Sequence, residues 1–62
     1  MTTYHIRYTV NKKWQPTIKR QSLDMNACLA STKAALTSKH GEAMGGIMIC
    51  GPQGDEEIYN FG

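Results

Sequence analysis

Asp24-Met25-Asn26-Ala27-Cys28-Leu29-Ala30-Ser31-Thr32-Lys33-Ala34-Ala35-Leu36-Thr37-Ser38-Lys39-His40 decides the architecture. Met25, Cys28, Leu29, Thr32, Ala35 and Leu36 recur at the spacing of one helical face. Ser22 or Asp24 is placed to cap the first turn by accepting from its orphan N–H groups. Lys39 and His40 fall where the helix dipole favours cations, and Gly41 follows as a left-handed stop. Stripe, start and stop agree on one helix over residues 24–40.

On the N-terminal side the period changes to two. Tyr4, Ile6, Tyr8 and Val10 alternate with His5, Arg7 and Thr9, the pattern of a half-buried strand over 3–10. Asn11-Lys12-Lys13 interrupts it as a turn. A weaker strand follows over 16–22, with Ile18 inward and Thr17, Lys19 and Gln21 outward. Pro16 lacks an N–H and belongs at a strand start or on a sheet edge. On the C-terminal side, Ile47-Met48-Ile49-Cys50 is an apolar run bounded by glycines and predicts a buried strand over 46–50. Gly51-Pro52-Gln53-Gly54-Asp55 is turn chemistry, and Glu57 to Phe61 predicts a last strand. The expected fold is α+β: a two-layer ββαββ domain spanning 1–62, with an antiparallel sheet and one helix on one face. Leu29 and Leu36 are expected in the core, against Ile6, Ile18 and one of Ile47 or Ile49. The second face of such a sheet is left uncovered, and function is expected there.

The chain has 62 residues, 40% of them hydrophobic, which is too apolar for a disordered tail and gives only a thin core. No apolar run approaches a membrane span, and no basic-then-apolar leader opens the sequence. Two cysteines, Cys28 and Cys50, are fewer than a secreted domain of this size ordinarily carries, so reduced thiols and a cytoplasmic location are expected. Cys28, on the helical stripe, is read as a small core hydrophobe.

Charge separates along the chain. Residues 1–23 carry Arg7, Lys12, Lys13, Lys19 and Arg20 with no acid, a charge of +5; residues 41–62 carry Glu42, Asp55, Glu56 and Glu57, a charge of −4. The net +2 hides this asymmetry. Arg7, Lys12, Lys13, Lys19 and Arg20, interleaved with Tyr8 and Trp14, are expected on a solvent face or turn of the first hairpin. Cations of this kind meet anionic partners, and Trp and Arg dominate protein-binding hot spots. The candidate partner-binding residues are therefore Arg7, Lys12, Lys13, Trp14, Lys19 and Arg20.

No catalytic residues, metal ligands or cofactors are expected. Gly-x-Ser-x-Gly is missing, and no carboxylate pairs with His5 or His40 at an informative spacing. The Gly51–Gly54 turn lacks the Lys-Ser/Thr ending of a phosphate loop, and Asp55-Glu56-Glu57 lacks the alternating ligands of a calcium loop.

The order hairpin, alanine-rich helix with a Lys-His-Gly exit, glycine-bounded strand and final hairpin resembles that of small phage-encoded accessory proteins. Among them it is similar in layout to some anti-CRISPR inhibitors. The resemblance covers element order alone. It implies a non-enzymatic inhibitor that binds a large nucleoprotein complex. The expectation is a binding protein docking through its basic hairpin onto an anionic or nucleic-acid-handling protein. The alternatives are a module that binds nucleic acid directly with the same surface, and a structural or assembly protein that pairs through its edge strands, as in a homodimer.

Overall fold

Tyr4, Ile6 and Tyr8 are buried while Thr3, His5 and Arg7 between them are exposed, so the period-two pattern becomes the strand β1 (Thr2–Val10) at the heart of the sheet. A computed structural model describes residues 1–61. After β1 come β2 (Lys13–Trp14), β3 (Ile18–Ser22), the helix α1 (Met25–His40), a 3₁₀ turn at Gly41–Ala43, β4 (Met44–Cys50) and β5 (Glu56–Asn60). All pairings are antiparallel. β1 is flanked by β4 on one side and by β2 and β3 on the other, and β5 closes the far edge beyond β4. This is the expected α+β sheet with one helix, but with five strands in place of four.

The additional strand arises because the chain breaks at Pro16. Thr9 pairs with Trp14, yet Ile6 pairs with Ile18. Three steps along β1 thus face four along the other chain, and one extra residue bulges out between β2 and β3. A bulge shifts the pleat by one residue and so flips which side chains share a face. Ile18 points toward the helix, and Trp14, also an even-numbered residue, points to the opposite face. A second bulge lies in β4, where Gly46 pairs with Thr9 and Met44 with Val10, leaving Gly45 over. A Cβ on Gly45 would come 2.6 Å from the Thr9 hydroxyl, so a bare backbone suits this spot.

The turns are local chemistry. Asn11 and Lys12 both have positive φ, 53° and 66°, the left-handed pair of a two-residue type I′ hairpin. The β4–β5 turn closes through the Gly51 N–H to the Asp55 carbonyl at 2.7 Å, with Gly54 at φ 85°. Asp24 caps α1 by accepting from the Ala27 N–H at 2.8 Å. Gly41, at φ 58°, ends it by donating to the Thr37 carbonyl.

The core lies between α1 and one face of the sheet. Ile6, Ile47, Ile49, Cys28 and Thr32 are its most deeply buried side chains, with Tyr4, Tyr8, Leu36 and Met44 around them. Two expectations need correction. Leu29 is only half-buried, and Ala35 is exposed. The face that meets the sheet is centred on Cys28, Thr32 and Leu36, which leaves Leu29 at the margin where the helix looks toward β5.

Candidate docking face

Residues paired across neighbouring strands point to the same face. The face opposite α1 can therefore be read row by row. One row runs Lys19, His5, Cys50, Glu56. The next runs Arg7, Met48, Ile58, and the one after it Trp14, Thr9, Gly46, Asn60. Among the described residues the helix packs on the opposite face and leaves these rows uncovered.

Trp14 and Ile58 stand out as large apolar side chains left open, 59% and 58% exposed. Between them lies a groove of about 340 Å³, floored by Gly46 and Met48 and flanked by Thr9 and Asn60. The Gly46 backbone forms its base because a Cβ there would crowd the Asn60 side-chain oxygen at 3.2 Å and the Tyr59 carbonyl at 3.3 Å. The guanidinium carbon of Arg7 sits 4.9 Å from the Trp14 ring centroid. A cation over the indole within about 6 Å is attracted to the ring face, so the indole is held in place while remaining exposed.

The six expected binding residues do not form one surface. Arg7, Trp14 and Lys19 share the open face. Lys12 occupies the hairpin tip, and Lys13 is paired with Val10, in phase with the helix-bearing face although solvent-exposed at the sheet end. Arg20 departs from the expected solvent face. It pairs with Tyr4 on the helix side and is half-buried there. A long aliphatic stem covers apolar surface at the sheet margin while its charged end reaches water, which is how an arginine occupies an inward position on an edge strand. Met48, Ile58 and Asn60 join the face without having been expected, because their placement depends on the distant pairing of β1, β4 and β5.

The Lys19–His5–Cys50–Glu56 row brings a thiol, an imidazole and a carboxylate onto one line. None of the side-chain hydrogen bonds of the described residues involves them. A thiol activated for attack needs a base within hydrogen-bond reach. Both cysteines are free, and among the described residues no three of His, Cys, Asp or Glu converge on a common point as metal ligands. No described helix is long and apolar enough to cross a membrane.

No protein-family model matches the chain, and no curated protein or solved structure matches it.

Proposed function

We propose that this chain is a non-enzymatic cytoplasmic binding protein whose uncovered sheet face docks onto the anionic surface of a larger protein. The observation that carries the reading is the exposed Trp14–Ile58 groove with Arg7 stacked on the indole. Two apolar anchors flank a recess, with Arg7 stacked on one of them and Lys19 further along the same face. That combination matches the aromatic and arginine anchors of protein interfaces, ringed by polar groups. Binding to a protein is favoured over direct binding to nucleic acid by what lies on the face. Single-strand binders offer successive aromatic rings for stacking. Here there is one exposed indole, already stacked by Arg7, with Met48 and Ile58 lining the same groove in place of further rings. The finer identification, an inhibitor of the phage accessory type acting on a nucleic-acid-handling complex, is supported by element order alone.

The experiment is capture by the immobilised protein from a host lysate, with and without nuclease. The expected result is a retained protein that survives nuclease. It should be lost at least about tenfold with Trp14→Ala or with Arg7→Glu, because like charges and missing anchors act at the contact itself. Neutralising Asp55 should leave capture intact. If retention disappears with nuclease, and the purified protein binds a single-stranded oligonucleotide with a steep log-linear loss in salt, the nucleic-acid alternative replaces this one.

A further inference from the structure

The two free edges of the sheet are of opposite charge. β3 carries Lys19 and Arg20 on one edge, with Lys12 and Lys13 beyond the bulge; β5 carries Glu56 and Glu57 on the other, next to Asp55. Four strand positions at about 4.8 Å separate the edges by roughly 14 Å. That exceeds the screening length of about 8 Å at physiological salt, so neither edge neutralises the other within one molecule.

Hydrogen-bond parity shows which backbone groups are free. Gln15 donates to the Tyr8 carbonyl and Phe61 to the Gly45 carbonyl. In antiparallel pairs, inward-bonded and outward-pointing residues alternate. Carried along the registers, Ile18 and Arg20 bond inward to β1, so Lys19 and Gln21 present free N–H and C=O groups. On β5, Glu57 and Tyr59 bond inward to β4, so Glu56, Ile58 and Asn60 present theirs. β3 and β5 run in opposite directions, since β3 is antiparallel to β1, which is antiparallel to β4, which is antiparallel to β5.

We infer that the chain adds to itself edge to edge, β3 of one copy pairing antiparallel with β5 of the next, with both helices on the same side of a continuous sheet. The register with Arg20 opposite Glu57 satisfies backbone, face and charge together. Lys19 bonds opposite Ile58 and Gln21 opposite Glu56. On the helix face, Arg20 then stands opposite Glu57 and Ile18 opposite Tyr59, each half of the second pair being half-buried in the single chain. On the open face, Lys19 lies diagonal to Glu56. Pairing like edges instead brings acid to acid or base to base, so the charges select the unlike contact over a two-fold dimer. Two different patches make this a head-to-tail association that does not close on itself. The contact shares Lys19 and Ile58 with the docking face, so it is tested through Arg20 and Glu57, which lie on the other side of the sheet from Trp14.

Sedimentation velocity of the full chain over about 10 µM to 1 mM tests it, since an edge contact is small and associates weakly. The wild type should show a mass that rises with concentration and falls as NaCl goes from about 50 to 500 mM. Arg20→Glu alone and Glu57→Arg alone should each weaken association at least about tenfold. Mixing the two variants in equal amounts should restore it, as should the double variant, which also shows that both variants fold. Trp14→Ala should associate like the wild type. A wild type that stays monomeric throughout, or forms a closed dimer, overturns the inference. So does association that ignores either substitution, or a mixture that stays as weak as its components.

Discussion

Among the described residues, Asn11 and Lys12 are the two non-glycine residues with positive φ, and Lys12 is the less suited to it. It holds φ 66° with a full side chain, where a β-carbon costs about 1–2 kcal/mol. Asn11, its partner in the turn, tolerates that geometry better than lysine does. Lys12→Gly should therefore raise stability by about 1 kcal/mol in urea unfolding, and a loss of stability would contradict the type I′ turn. His40 makes a similar case from the other end of the helix. Its Nε2 is buried without a hydrogen-bond partner among the described residues, and its ring lies 6.1 Å from that of Tyr8. His40→Phe removes the orphaned nitrogen and keeps the ring, so the melting temperature should hold or rise. A fall worth more than about 1 kcal/mol would mean the nitrogen is satisfied in solution. Turn chemistry and helix caps are legible in sequence because they depend on a few neighbouring residues. The half-burial of Arg20 was within reach of the same alternation that turned Ile18 inward, but its charge made a solvent position the natural reading.

At the level of elements, α1 was the most legible part, since cap, stripe and stop all lie within it. What the stripe does not reveal is how the helix is rolled on the sheet. The roll centres Cys28, Thr32 and Leu36 and moves Leu29 to the margin. Leu36→Ala should then cost about 2–5 kcal/mol, and Leu29→Ala distinctly less, about 1 kcal/mol, by chemical denaturation. Equal losses would mean that the roll differs. The bulge at Pro16 was beyond reading. It exists only as a mismatch between two registers, and an alternating pattern on either side of it looks the same whether or not the phase slips between them. The docking groove inherits that difficulty: Trp14 announces itself beside two lysines, but Met48 and Ile58 meet it only through pairings of residues far apart in the chain.

For the whole molecule, the consequence is a division of labour between faces and edges. One face of the sheet is committed to the helix, the other offers the Trp14–Ile58 groove, and the two edges carry opposite charge. A change at Arg20, on the helix side of its edge, should leave the groove working. Arg20→Glu is thus expected to keep full partner capture per molecule while losing self-association, measured by capture at dilute protein and by sedimentation at high protein. A matching loss in both would show that the open face is assembled only in the oligomer.

Trp14 is the only tryptophan in the sequence, and it forms one wall of the proposed contact with a guanidinium beside it. The protein therefore carries its own optical probe. At 59% exposure its emission in the free state should be that of an indole largely in water, and covering the groove should move the spectrum to shorter wavelength and shield the ring from soluble quenchers. A partner seated anywhere else would leave the light unchanged.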